Sequence, residues 1–113
     1  MKQIMAIIRP NMLENVEHAL HGLEHFPGFT TLRAAGRSRG RAPGHHHQPT
    51  EWDIDESDRT MLVLVCADEL ATQIVDTVRS AARTGLPGDG LIVVTDVAEA
   101  VRIRTDERGV AAL

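Results

Sequence analysis

Met61-Leu62-Val63-Leu64-Val65-Cys66-Ala67 leads into Asp68 to Ala82, where Leu70, Ile74, Val78 and Ala82 recur every four residues. Arg83-Thr84-Gly85-Leu86-Pro87-Gly88-Asp89-Gly90 follows, and then Leu91-Ile92-Val93-Val94-Thr95. A short run rich in Val and Leu reads as a strand, and the four-residue recurrence behind Asp68 reads as a helix capped by that residue. The glycine cluster is a turn and the next apolar run a fourth strand. Working outward, Lys2 to Arg9 is a strand stopped by Pro10, and Asn11 with Glu14 fits a capping box. Leu13, Val16, Leu20 and Leu23 predict a helix from about Leu13 to Leu23, ended by Pro27-Gly28. Phe29 to Ala35 is the second strand, and Val101 to Arg104 forms a short extended piece. The order β-α-β-β-α-β predicts an α+β fold of the ferredoxin-like kind, an antiparallel sheet with both helices on one face.

The first, third and fourth strands are apolar at both alternating positions, with Ile4 and Ala6 against Met5 and Ile7. A sheet with one wet face would alternate apolar with polar. Two helices cover one face only, so a second copy of the chain is expected on the other. The 113 residues read as a single domain, 1–113. Its only aromatic residues are Phe26, Phe29 and Trp52, so Val, Ile, Leu, Met and Ala must build the core. A net charge of −4 argues against a nucleic-acid partner. No apolar run is long enough to insert in a membrane and no cleavable signal is evident, which reads as a cytoplasmic protein. The lone Cys66, inside an apolar run, reads as a small buried hydrophobe.

Three glycines in the six residues Gly85 to Gly90 leave backbone N–H groups free to converge on an anion. Arg102 and Arg104, two apart, would share one face of a strand, and Arg grips phosphate through paired hydrogen bonds. Together they point to a nucleotide site. No nucleophile or base accompanies Asp89, whose expected role is to shape the loop, and enzymatic function is disfavoured. Between strands two and three, Gly36 to Arg59 is too polar to pack. Arg37, Arg39 and Arg41 lie on its outgoing arm, and Glu51, Asp53, Asp55, Glu56 and Asp58 on its return. It reads as a mobile, partner-seeking loop, with Arg39, Arg41, Trp52 and Asp53 as contact candidates; exposed Trp is favoured at binding hot spots. His45, His46 and His47 within it are candidate ligands for Zn, Ni or Cu, against the simpler reading of a solvated loop. His18, His21 and His25 on the first helix read as an exposed helix surface.

Met1-Lys2-Gln3-Ile4-Met5-Ala6-Ile7-Ile8-Arg9-Pro10, Ala81 through Gly90, and Asp96-Val97-Ala98 through Arg102-Ile103-Arg104-Thr105 identify a family. In these segments the sequence resembles the PII signal-transduction family. The resemblance implies a homotrimer with an adenine nucleotide (ADP, AMP or ATP) in each cleft between subunits. By position, Gly88, Asp89 and Gly90 would hold phosphates through backbone N–H groups, with charge from Arg102 and Arg104. Gly36 and Arg37 would close over the nucleotide, and Thr30 and Val65 would line the adenine pocket. The long loop, about 37–59, corresponds to the family's T-loop, and 96–113 to its C-terminal segment. The T-loop reaches a target protein such as a transporter or metabolic enzyme.

Some positions depart from the family pattern. Ser38 stands where a glutamine helps bind Mg-ATP and 2-oxoglutarate, and Leu91 stands where a lysine usually follows the Gly-Asp-Gly. The chain has no Tyr, so nucleotidylation of a loop-tip tyrosine is excluded. The departures predict a divergent PII-like regulator that binds 2-oxoglutarate weakly or not at all. A bicarbonate-responsive regulator and a metal-binding trimer using the histidine loop are the alternatives.

Overall fold

The computed structural model describes residues 1–36 and 58–113. Four strands, β1 (Lys2–Ile8), β2 (Thr30–Ala35), β3 (Asp58–Cys66) and β4 (Gly90–Asp96), form one sheet in the order β2-β3-β1-β4. Every neighbouring pair is antiparallel. Two helices, α1 (Leu13–His21) and α2 (Asp68–Ala82), pack against each other, and α2 also lies against β1. β1-α1-β2 and β3-α2-β4 are each a split βαβ unit, with the other unit's strand inserted between the two parallel ones. The arrangement is the expected α+β ferredoxin-like fold.

Alternation along the strands sorts the side chains. Ile4, Ala6 and Ile8 of β1 and Leu62, Leu64 and Cys66 of β3 are buried beneath Val16 and Leu20 of α1 and Ala71, Ile74, Val78 and Ala82 of α2. Each large aliphatic side chain so buried is worth about 1.5–3 kcal/mol of transfer free energy. Cys66 is free and buried, and desolvation pushes its thiol pKa up, which suits a packing residue. The opposite face of the sheet is apolar as well. Register aligns Leu32, Met61, Ile7 and Leu91 in one row across the four strands, and Thr30, Val63, Met5 and Val93 in the next. Leu32 is 51% exposed and Leu91 63%, so the described residues leave this face uncovered.

Several local expectations are corrected. No side chain caps α1, because Pro10–Met12 forms a 3-10 turn that leads the chain into the helix, with the Met12 N–H bonded to the Arg9 carbonyl. Asn11 and Glu14 therefore form no capping box. α1 ends at His21 rather than Leu23, and His25 lies beyond it at φ +59°, so the three histidines do not share one helix. His21 instead packs its ring beside Phe26 and Phe29. Asp68 is the first residue of α2 and makes no cap; its carboxylate pairs with the Met1 amine at 2.8 Å, which holds its pKa below the ordinary value. β3 begins at Asp58, three residues before the apolar run, since Ala35, Ala34 and Arg33 of β2 continue the ladder opposite Asp58, Arg59 and Thr60. Residues 101–104 are not a strand. Val101 makes an isolated bridge to Arg108, and the residues between them form a turn with Asp106 at φ +61°.

Candidate functional site

The glycine loop joins α2 to β4 and is held in shape by one carboxylate. Asp89 Oδ2 accepts the backbone N–H groups of Thr84 and Gly85, each at 2.9 Å. Its Oδ1 accepts the Thr84 hydroxyl and, at 3.2 Å, Arg9 Nε–H. The Thr84 hydroxyl bond, the two backbone donors and Arg9 together hold the Asp89 carboxyl well below the usual carboxylate range. The side chain is thus turned into the loop as a brace, as expected for a shaping residue. Gly85, Gly88 and Gly90 take φ of +86°, +95° and +107°. A Cβ on Gly90 would stand 1.7 Å from the Ile7 carbonyl oxygen, so the close approach of loop to strand admits only glycine there.

The candidate residues are spread along the sheet rather than gathered at one end. Gly90 pairs with Ile8, and Ile8 with Thr60, so the glycine loop sits where β1 ends and β3 begins. β2 ends at the same place, with Ala35 opposite Asp58, and a Cβ on Gly36 would come within 3.3 Å of Arg59 Cγ. Gly36, Gly88, Asp89 and Gly90 are therefore assembled at one end. Val65, opposite Gln3, lies toward the other end, whereas Thr30 begins β2 opposite Val63, in the middle of the sheet. The C-terminal segment leaves the sheet at that other end, after Asp96, with Val97 N–H bonded to the Met1 carbonyl and Asp96 paired with Lys2. The seven residues of β4 put about 20 Å between the two ends.

Arg102 and Arg104 do not act as a strand pair. Arg102 Nε donates to the Ala112 carbonyl at 2.9 Å, tying the turn to the closing 3-10 turn Gly109–Ala112. Arg104 is exposed and makes no hydrogen bond or ion pair among the described residues, and Ile103 between them is fully exposed. Among the described residues, no bond links either arginine to the glycine loop. Arg37, Arg39, Arg41, His45, His46, His47, Trp52 and Asp53 lie outside the described residues. No cluster of three metal-ligating side chains occurs among the described ones. The broad open groove between the helices, lined by Ala19, Thr72, Asp76 and Ser80, does not reach the glycine loop.

Two residues at the loop went unnoticed in the sequence. Arg9, the last residue before Pro10, reaches Asp89 through Nε and the Pro87 carbonyl through Nη2 at 2.5 Å. Arg59 bonds the Asp58 carbonyl at 2.7 Å and brings its other nitrogen toward Gly88. The visible signal was position alone: a cation at the end of one strand and another at the start of its partner.

Comparison with known proteins agrees with the fold. The family model for nitrogen regulatory protein P-II matches residues 1–107. The nitrogen regulatory protein P-II of Bradyrhizobium diazoefficiens is 37% identical over the whole of both chains. That of Rhodospirillum rubrum is 39% identical over 96% of each. Nitrogen regulatory protein P-II 2 of Methanothermobacter thermautotrophicus is 38% identical over 96% of this chain and 94% of its own. The chain belongs to the nitrogen regulatory protein P-II family. It is accordingly a signal-transduction regulator that works through contacts with other proteins, and not an enzyme. No helix among the described residues is long and apolar enough to cross a membrane.

Proposed function

We propose that this regulator is a homotrimer that binds an adenine nucleotide (ADP, AMP or ATP) in each cleft between subunits. In this reading Gly36, Gly88, Asp89 and Gly90 of one chain meet Thr30, Val65, Arg102 and Arg104 of the next. One observation carries it: the glycine loop and the departure point of the arginine segment sit at opposite ends of a sheet that is itself apolar on its uncovered face, with Thr30 between them. Packing that face against other copies buries the rows containing Met5, Ile7, Met61 and Val63, and it brings the end of one sheet to the side of another. Arg104 and the fully exposed Ile103 then find their surroundings on the neighbouring chain. The segment 37–57, with Trp52 and its two charged arms, contacts a target protein, a transporter or a metabolic enzyme. Nucleotide changes that contact by binding the segment's alternative states unequally.

Leu91 shapes the ligand preference. It shares a row with Ile7 on the uncovered face and offers no charge to a terminal phosphate, and Ser38 is too short to supply a metal ligand. ADP or AMP should therefore compete well with ATP, and 2-oxoglutarate should bind weakly or not at all. Calorimetry with the three nucleotides, alongside light scattering, tests the reading. Replacing Arg102 and Arg104 together by Ala should weaken ADP by about tenfold to 150-fold for each charge-assisted hydrogen bond lost, from about 1.5–3 kcal/mol per bond. A monomer by light scattering, or unchanged ADP binding in the double variant, would overturn it.

A further inference from the structure

Gly88, Asp89 and Gly90 bring backbone but no positive charge, and the guanidinium of Arg83 lies by Gly85. Leu91 is apolar, and Arg102 and Arg104 belong to the segment that leaves the far end of the sheet. The structure nevertheless brings two guanidiniums to Gly88. Arg9 Nη2 lies 3.1 Å from the point where a Gly88 Cβ would stand, and Arg59 Nη2 lies 3.5 Å from the same point. Asp89 does not take up the Arg9 charge fully. Asp89 faces inward on Thr84 and Gly85, and it engages Arg9 through Nε alone. The Nη2 of Arg9 rests on the Pro87 carbonyl, a neutral acceptor that a phosphate oxygen would outcompete.

We propose that Arg9 is a ligand-contacting residue of this site: its Nη edge leaves the Pro87 carbonyl and binds the phosphate chain of a nucleotide laid on the loop, with Arg59 flanking it. The assignment rests on the nucleotide reading above and names the positive charge that reading requires from the loop's own chain. The Nε contact with Asp89 orients the guanidinium before ligand arrives, so little side-chain freedom is lost on binding. The base lies toward Thr30 and Val65 of the neighbouring chain, so the phosphates farthest from the base lie deepest along the loop. Arg9 therefore contributes more to ADP and ATP than to AMP.

The test is calorimetric titration of the full-length protein, Arg9→Ala and Arg9→Lys with AMP, ADP and ATP, with circular dichroism on each variant. Arg9→Ala should weaken ADP and ATP about tenfold or more and AMP least, and Arg9→Lys should recover part of the loss. Wild-type affinity for ADP and ATP in Arg9→Ala would overturn the assignment. An equal loss for all three nucleotides would overturn it too, since that is the mark of a residue that only holds the loop in shape. If Arg9→Ala does not fold, Arg9→Gln, which keeps a neutral donor for the Pro87 carbonyl, carries the same comparison. If the wild-type protein binds none of the three, the nucleotide reading itself falls and this assignment with it.

Discussion

Asp89 carries more of the glycine loop than any other side chain, and its role was legible before its partners were. An acid between two glycines, with no base or nucleophile nearby, was expected to shape the turn, and its oxygens accept from Thr84, Gly85 and Arg9. Which residues those would be could not be read from the chain, because Arg9 lies eighty positions away and reaches the loop only through the register of β1 with β4. Arg102 shows the opposite failure. Its spacing from Arg104 suggested a shared strand face, but Asp106 takes a left-handed turn and Arg102 folds back on the Ala112 carbonyl. The Asp89 brace should be visible in the pH dependence of stability. Its carboxyl titrates lower in the folded protein than in the unfolded chain, where the ordinary value is about 3.9. Its contribution is therefore complete above that value and lost as pH falls toward the folded one. Asp89→Asn should lower Tm at neutral pH and flatten the decline in Tm from roughly pH 5 to 2. Parallel curves for the two proteins would show that the carboxylate does not brace the loop.

Among the elements, the strands and helices that carry a strong period were legible and their ends were not. α2 follows its four-residue recurrence to Ala82, and β1 and β4 match their apolar runs to within a residue. β3 starts early because backbone pairing with β2 continues past the apolar run, and hydropathy cannot register a backbone ladder. Helix entries went astray for a related reason. A 3-10 turn leads the chain into α1 in place of an Asn11 cap, and the Asp68 carboxylate pairs with the Met1 amine instead of capping α2. The long segment between β2 and β3 is the element on which function turns in this account. Its sequence offers few apolar side chains to a core, and its charges are divided between two arms. Deleting Pro43 to Asp55 should leave oligomer formation and most nucleotide affinity unchanged while abolishing capture of the target. Replacing His45, His46 and His47 by Ala should leave target binding intact unless a metal joins the interface. Loss of the oligomer on deletion, seen by light scattering, would show that the segment is structural.

For the whole molecule, the order of elements gave the fold, and the two-faced strands gave an apolar surface that the helices do not cover. The site was the harder part. The resemblance implied a cleft between subunits but did not divide the candidate residues between chains, and the sheet holds Gly36, Gly88, Asp89 and Gly90 about 20 Å along from the end where β4 passes into the arginine segment. A single sequence has no means of showing that two halves of a site are contributed by different copies of the same chain. That division is the central claim, and mixing two inactive variants tests it most directly. One variant carries Gly90→Asp, which spoils the loop half, and the other carries Arg102→Ala with Arg104→Ala, which spoils the arginine half. Each alone should bind ADP poorly. After subunit exchange at equal ratio, about a quarter of the clefts should pair an intact loop from one chain with intact arginines from another, and calorimetry should recover wild-type ADP affinity at that fraction of sites. If the mixture binds no better than its two components although the subunits have exchanged, the site does not lie between chains and the account is contradicted.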